Sequence, residues 1–223
     1  MKIEIAESII YMWIVMAILS GFALFVNISI KRGKFKDVPE TKLQAFVEAF
    51  VEFIYNVARD TMGERNIGLA PYTGSLGLLI MLSNIMGMFG VEKPPTSDYS
   101  VTLGLALATF FVVQYHQFKA HTLKGYVKEI FEPIPLLFPL NLLDKFTPIL
   151  SMSLRLFGNV TAGVIIMGLI YEALRGMNVY TMAIIPIPFH FYFDIFDGFI
   201  QTLVFVMLTM VLTANATYVD EDH

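Results

Sequence analysis

The sequence predicts an all-α integral membrane protein with five transmembrane helices in a single membrane domain, residues 1–223, and three observations carry this prediction. Of its 223 residues, 56% are hydrophobic, and the mean hydropathy is +0.66. Only 15% are charged, whereas soluble domains contain about a quarter. Apolar stretches of about 20 residues, enough to cross a bilayer as helices, occur at residues 9–30, 67–90, 99–118, 146–171 and 189–218.

The first stretch, residues 9–30, is expected to be a retained span and not a cleaved signal peptide. Glu4 and Glu7 precede it in place of a basic region, and no small-residue cleavage site follows it. Basic residues directly follow the first and third spans, which places both loops in the cytoplasm under the positive-inside rule. They are Lys31, Arg32, Lys34 and Lys36, and then Lys119, Lys124 and Lys128. The N-terminus is then outside, and the acidic tail of residues 220–223 is cytoplasmic.

An amphipathic helix is predicted between the first two spans, at residues 40–64. Its apolar residues recur at helical spacing, at Leu43, Phe46, Val47, Phe50, Ile54, Val57 and Ala58. Such a helix either lies in the membrane interface, in contact with lipid, or packs on the other spans. A shorter interfacial stretch, residues 125–139, contains Pro133, Pro135 and Pro139, and the fourth span is expected to begin near Asn141 or Asp144.

Arg155 is the only charged residue between Lys145 and Glu172, so it is predicted to lie near the middle of the fourth span. An arginine at that depth costs about 2.5–3.5 kcal/mol on insertion scales, and residues of this kind usually face a polar interior and mark an ion pathway. Ser151 and Asn159 lie four residues to either side, on the same helix face. This polar stripe favours a functional role over a snorkelling or structurally paired arginine.

The last span carries a second polar stripe, which starts near its outer end. Its members are separated by four, three and four residues and therefore share one face of an α-helix: His190, Asp194, Asp197 and Gln201. Two acids facing lipid would be costly, so we expect them to face protein or water and to be protonated reversibly. A purely structural network of buried acids is the alternative. Glu172 either extends this entrance or is an ordinary solvated residue at the helix end.

A polar track that ends beside a fixed positive charge indicates half of an ion channel. A continuous polar pore would let ions run down a potential of about 2.3 kcal/mol per charge per 100 mV without work. The half-channel instead delivers its cation to another group, most simply a carboxylate on a partner.

Three motifs resemble the subunit a family of rotary F-type ATP synthases: "SLRLFGN" followed by "AG", "PTSDYSVTLGLAL" and "IQTLVFVMLTMV". The resemblance implies a stator subunit, non-catalytic on its own, with its fourth and fifth spans long and tilted against a ring of c subunits. It also implies a b-subunit peripheral stalk as partner and a bacterial plasma (inner) membrane as location. A second half-channel toward the cytoplasm is implied as well, and Asp144 and Ser151 are the candidates for it.

By position, the resemblance makes Arg155 the family's essential arginine, and Asn159 and Gln201 its polar partners. Some relatives have a glutamate at the position of Val164 and a histidine at that of Asp194, so one exchangeable group has moved to the last span here. The coupling ion is H⁺ or Na⁺. We expect membrane lipid as a partner and no cofactor, metal or nucleic acid.

Two other functional classes are alternatives to this hypothesis. An intramembrane aspartyl protease needs acids on two facing helices, whereas Asp194 and Asp197 are three residues apart on one, and no serine or zinc protease motif is present. The chain contains no cysteine, which excludes thiolate metal sites. A self-contained cation channel or transporter stays as the alternative, because it would use the same polar stripes.

Overall fold

A computed structural model of the chain describes residues 7–32, 41–89, 94–120 and 138–218, and every regular element in these ranges is helical. Five helical stretches are long and apolar enough to cross a membrane: Glu7–Lys31, Glu64–Ile85, Tyr99–Ala120, Phe138–Ala173 and Tyr180–Thr217. The predicted all-α membrane architecture with five spans is confirmed.

The helices are numbered in chain order. The first four are α1 (Glu7–Lys31), α2 (Lys42–Met62), α3 (Ala70–Ile85) and α4 (Tyr99–Ala120), and a 3₁₀ helix (Glu64–Leu69) leads into α3. The fourth span is α5 (Phe138–Ala173). The last span combines α6 (Val179–Ile184), α7 (Pro186–His190), a π-helical segment (Phe191–Asp197) and α8 (Gly198–Thr217).

The last two spans are longer than the sequence indicates. α5 begins at Phe138, three residues before Asn141 and six before Asp144, the two expected starting positions, and it continues through Pro148. The last span begins at Tyr180, nine residues before the expected position 189, and it continues through Pro186 and Pro188. Membrane helices tolerate proline because neighbouring groups satisfy the freed backbone. Two predicted features lie outside the described ranges: residues 121–137, with most of the proline-containing stretch, and the acidic tail.

α2 begins with an N-cap, since the side chain of Thr41 accepts a hydrogen bond of 3.2 Å from the backbone N–H of Gln44. It ends at Gly63, whose φ of 73° lies in the left-handed region that glycine adopts without strain. The C-terminal half packs on α3 and α8 through Ala58 and Met62, whereas Phe46 is 67% exposed. The helix thus packs on protein at one end and presents apolar side chains outward at the other.

α8 is the central packing element of the described fold. On one side, its Phe205 belongs to an apolar cluster with residues of α3, α4 and α5. On another, Val206 and Met210 pack on the end of α2 and the start of α3. The helix that carries Gln201 is therefore held by four neighbours, which fixes its rotation and its depth.

Two glycines of α3 allow this close packing. A Cβ atom at Gly74 would lie 3.1 Å from a side-chain carbon of Ile54 in α2, and one at Gly77 would lie 3.2 Å from Val206 in α8. Small residues let membrane helices approach closely, and the gain comes from van der Waals contact. α3 thereby packs closely on both the amphipathic helix α2 and the last span.

Candidate functional site

Arg155 lies on an exposed face of α5. Its Nη2 atom is 3.4 Å from the hydroxyl of Ser151, one turn earlier on the same helix. Within the described ranges no carboxylate forms an ion pair with it. The guanidinium is therefore available to an acidic group from outside the chain, as the sequence-based hypothesis requires.

Asn159 and Gln201 join the two spans that carry the polar stripes. The Asn159 amide Nδ2 donates a hydrogen bond of 2.9 Å to Oε1 of Gln201. Gln201 is only 3% exposed, so its amide is oriented by this bond and by packing. The contact fixes the depth of Gln201 relative to Arg155, which lies one helical turn away on α5.

A second contact between these spans lies near the C-terminal end of α5. His190 is hydrogen-bonded through Nε2 to the hydroxyl of Tyr171 on α5, at 2.9 Å, and through Nδ1 to Oδ2 of Asp194, at 2.7 Å. Since the carboxylate of Asp194 accepts, Nδ1 carries the proton. Asp194 also abuts Gly87, where a Cβ atom would come within 3.2 Å of its Oδ1. His190 and Asp194 therefore form a fixed pair between two helices.

A π-helical segment, Phe191–Asp197, separates this pair from Gln201. A π-helical turn takes up one extra residue relative to an α-helix, so the side chains that follow are displaced by about a quarter turn. The single-face stripe expected from an uninterrupted α-helix is thus divided into two groups. Asp197 lies at the junction, half-buried, with no hydrogen bond to its carboxylate among the described residues. π-Helical turns are frequent at functional sites.

The two contacts between spans place the polar residues in order of depth. Tyr171 follows Asn159 by 12 residues on α5, and His190 precedes Gln201 by 11 residues on the last span. The contact between Tyr171 and His190 is therefore about 17 Å from the contact between Asn159 and Gln201. Asp194 and Asp197 lie within that interval, and Arg155 lies about 6 Å beyond Asn159 in the opposite direction. The order that starts from the contact between Tyr171 and His190 is His190, Asp194, Asp197, Gln201 with Asn159, and Arg155.

The other predicted site residues occupy the ends of α5. Glu172 forms an exposed ion pair with Arg175, whose Nη1 lies 3.2 Å from both carboxylate oxygens. Asp144 lines a cavity of about 210 Å³ between α4, α5 and α8, together with Gln114 and Asn215. Ser151 lies between Asp144 and Arg155 on an exposed face.

Three residues that sequence reasoning missed support the track. The hydroxyl of Tyr171 is hydrogen-bonded to the Nε2 atom of His190. Asn84 on α3 donates from Nδ2 to the carbonyl of Gly198 at 3.2 Å, immediately after the π-helical segment, and accepts at 2.6 Å from the hydroxyl of Thr96. These residues are far from the track in the sequence, so spacing could not reveal them. Asn84 is nevertheless a buried polar residue within an apolar span, which is an available signal.

Around Arg155, the outward surface of α5 is apolar or small. This surface, termed the α5 strip, comprises Leu154, Gly158, Ala162, Ile165 and Leu169, all exposed. A Cβ atom added to Gly158 would meet no atom of the chain within 4 Å. Arg155 is therefore a single cation at the edge of a smooth apolar surface.

The family model for the ATP synthase A chain matches residues 9–213, which include both spans with the polar track. The match covers most of the chain. The chain belongs to this family. The assignment confirms the resemblance found from the motifs around Arg155, Thr96 and Gln201.

Individual members of the ATP synthase A chain family support the assignment. The chain is 37% identical over 189 residues to "ATP synthase subunit a, sodium ion specific" of Propionigenium modestum, covering 78% of this chain and 63% of that one. It is 32% identical over 219 residues to ATP synthase subunit a of Aquifex aeolicus, covering 96% of this chain and 99% of the relative. A Bacillus pumilus subunit a is 34% identical, with 82% of each chain covered. The chain thus spans less than two thirds of the Propionigenium modestum relative and nearly all of the Aquifex aeolicus one.

Proposed function

We propose that this chain is the membrane stator subunit of a rotary ATP synthase, in which two ion half-channels load and unload the carboxylates of a c-subunit ring. One observation carries the proposal: Arg155 is exposed beside the inner end of a partly buried polar track and has no acidic partner in the described part of the chain. Family membership supplies the setting, a complex that couples ion flow to ATP synthesis. The chain itself catalyses no covalent step.

The outer half-channel runs from His190 through Asp194 and Asp197 to Gln201. The geometry supports it because His190 and Asp194 are already hydrogen-bonded, while Asp197 is half-buried and has a free carboxylate among the described contacts. An acid that keeps an unpaired oxygen can receive a cation from one neighbour and pass it to the next. The ion is H⁺ or Na⁺.

Arg155 drives release of the ion from the ring. A ring carboxylate that faces lipid must be neutral, either protonated or ion-loaded, because desolvation disfavours its charged form. Next to Arg155 the ionised form is stabilised by about 4 kcal/mol, for charges about 4 Å apart at an effective dielectric constant near 20. The carboxylate therefore releases its ion toward the inner end, where Ser151 and Asp144 provide the exit. After passing Arg155 it reloads from the outer track.

The same cation separates the two half-channels, so ions cross only by moving with the ring. The proposed partners are the c-subunit ring along the α5 strip, the b-subunit peripheral stalk and membrane lipid. The chain is placed in a bacterial plasma membrane with its N-terminus outside and its C-terminus in the cytoplasm. This orientation agrees with Lys31, Arg32 and Lys119 at the predicted inner ends of α1 and α4.

The decisive experiment compares liposomes that contain this chain alone with liposomes that contain the assembled complex. The chain alone should show no H⁺ or Na⁺ flux under an imposed potential, because its outer track ends at Arg155. The complex should show flux that an inhibitor bound to the ring carboxylates abolishes. Selective flux through the chain alone would instead identify a self-contained channel or transporter.

A further inference from the structure

A cavity of about 480 Å³ lies where the 3₁₀ helix before α3 meets the C-terminal ends of α4 and α8. We call it the basic cavity, since Arg65, His116 and Lys119 line it together with Asn66 and Thr217. None of its lining residues is acidic. It lies at the ends of three membrane segments, opposite the outer end of the polar track, and the proposed ion path does not use it.

The wall of the basic cavity is built by specific contacts. The amide Nδ2 of Asn66 donates to the hydroxyl of Thr217 at 2.6 Å and to the carbonyl of Met62 at 3.2 Å, which ties the 3₁₀ helix to the end of α8. The ring of His116 is fixed by a bond of 2.9 Å between Nδ1 and the Val112 carbonyl. Because a carbonyl only accepts, Nδ1 donates, and Nε2 has no hydrogen-bond partner among the described residues.

The two permanent cations of the basic cavity are not neutralised within the described ranges. Arg65 and Lys119 are exposed and form no ion pair there, whereas the nearby Arg59 pairs with Glu64 at 2.6 Å. An arginine fork and a lysine around one concave space fit the oxygens of a phosphate group, since the fork binds two oxygens and the lysine adds charge. A volume of 480 Å³ lies within the usual range of ligand sites, about 300–1,000 Å³.

We propose that the basic cavity binds the phosphate of an anionic phospholipid headgroup. Free phosphate shares this chemistry, but it has no apolar part. The neighbouring face of α4 presents Phe111 and Tyr115 outward, 66% and 63% exposed, and acyl chains can pack on them. Basic pockets between membrane helices at the cytoplasmic side bind such headgroups. The proposal takes only its choice of leaflet from the proposed orientation.

A photocrosslinking experiment on the assembled complex tests this site. Because the chain has no cysteine, Ala120→Cys places one thiol in it at the wall of the basic cavity, where a benzophenone maleimide can be attached. The complex is reconstituted in phosphatidylcholine vesicles with a minor fraction of phosphatidylglycerol, and the lipid crosslinked to residue 120 is identified by mass spectrometry. We expect phosphatidylglycerol to exceed its bulk fraction at least about fivefold, the effect of one cation near a membrane surface.

The control separates the basic cavity from general surface charge. Arg65→Gln with Lys119→Gln should return the crosslinked lipid to the bulk ratio. Lys31→Gln with Arg32→Gln removes the same charge at the predicted inner end of α1, and it should leave the enrichment unchanged. Equal loss in both variants, or bulk composition in the chain that carries Ala120→Cys alone, would overturn the proposal.

Two further arms identify other occupants. Loss of the enrichment when inorganic phosphate is added would assign the basic cavity to free phosphate and contradict the lipid site. Enrichment that emerges only after removal of residues 220–223 would assign it to the acidic tail, which follows Thr217 closely in the sequence. The readout is lipid composition and requires no ion flux, so failure here and failure of the stator function are distinguishable.

Discussion

Asn159 on α5 and Gln201 on α8 are joined by a hydrogen bond of 2.9 Å, and this bond sets the relative depth of the two spans that carry the proposed ion path. Asn159→Leu and Gln201→Leu should each destabilise the chain, and a double-mutant cycle should give a coupling free energy of about 0.6–1.7 kcal/mol, the range for bonds between membrane helices. The measurement is reversible unfolding in mixed micelles. Ser153→Ala is the control, because Ser153 bonds only within its own helix. A coupling energy near zero would show that the bond does not hold the spans together.

Replacement of Arg155 should separate its two proposed roles. Arg155→Ala should stop coupled synthesis and raise passive ion conductance, because a loaded ring carboxylate can then pass between the half-channels. Arg155→Lys keeps a charge without the planar fork, so it should block most of the leak yet support little synthesis. Ion flux and ATP synthesis are measured in the same vesicles. Synthesis above about a tenth of wild type in Arg155→Ala, a barrier change of only about 1.4 kcal/mol, would make the arginine a structural residue.

Asp194 and Asp197 should act in series. Asp194→Asn and Asp197→Asn should each slow ion-driven synthesis with assembly intact, and the double change should nearly abolish it, because no other acid lies between His190 and Gln201. Glu172→Gln is the comparison. It removes a carboxylate that is exposed and paired with Arg175, so its effect should be smaller. Normal ATP-driven pumping in the double variant would remove both aspartates from the path.

Gly158 tests whether the α5 strip faces a partner. Because a Cβ atom there meets nothing in this chain, Gly158→Leu should leave insertion and abundance unchanged. In the assembled complex it should reduce synthesis about tenfold or more by steric conflict with the ring. Gly104→Leu is the matched control, since Gly104 on α4 is equally open. Equal activity of both variants would show that no partner approaches Arg155 along this strip.

The contact between Ser8 and Asp98 predicts a pH dependence of stability. The Ser8 hydroxyl donates a hydrogen bond of 2.6 Å to Oδ2 of Asp98, and this bond is the main cause that holds the pKa of Asp98 below 3.8. Partial burial raises the pKa, and hydrogen bonds from Ser100 lower it further. A carboxyl with a lowered pKa stabilises the fold above its unfolded pKa, and this is lost as the pH falls through the folded value.

Ser8→Ala should therefore be less stable than wild type at pH 7, and the difference should shrink as the pH falls below 3.8. The measurement is unfolding in micelles across this range, with the carboxyl resonance of Asp98 followed in parallel. Ser75→Ala is the control, because Ser75 bonds only to the carbonyl of Tyr72 in its own helix. A difference that does not change with pH would show that the bond does not bias the ionisation of Asp98.

Hydrophobic length and charge placement were sufficient to predict the five spans and the amphipathic helix, because each is a local property of the chain. The start of the last span was not predictable, since whether a helix continues through Pro186 and Pro188 depends on the neighbours that satisfy its backbone. The π-helical segment was missed for a similar reason. A four-three-four spacing identifies His190, Asp194, Asp197 and Gln201, but it assumes α-helical geometry throughout.

The sequence selects candidate site residues where polarity conflicts with an apolar span, as at Arg155 and Asn159, and their roles stay predictions. Their hydrogen-bond partners could not be selected in this way, because Tyr171 and His190, or Thr96 and Asn84, meet only through tertiary packing. Sequence patterns therefore indicated which polar side chains of the two spans belong to the proposed ion path. The structure adds their order in depth and the buried amide of Asn84 that holds the backbone at Gly198.

The α5 strip has a mechanical consequence. Its side chains, such as Leu154, Ala162 and Ile165, offer only dispersion contacts of about 0.1–0.2 kcal/mol per atom pair, and none offers a directional bond. If the proposed ring turns against this surface, it meets a nearly flat energy profile, comparable to a lubricated bearing. The angular stops would then be set almost entirely by the attraction between Arg155 and each arriving carboxylate. Under the proposed mechanism, torque per step would thus be governed by a single electrostatic well, and the remaining surface would contribute low friction.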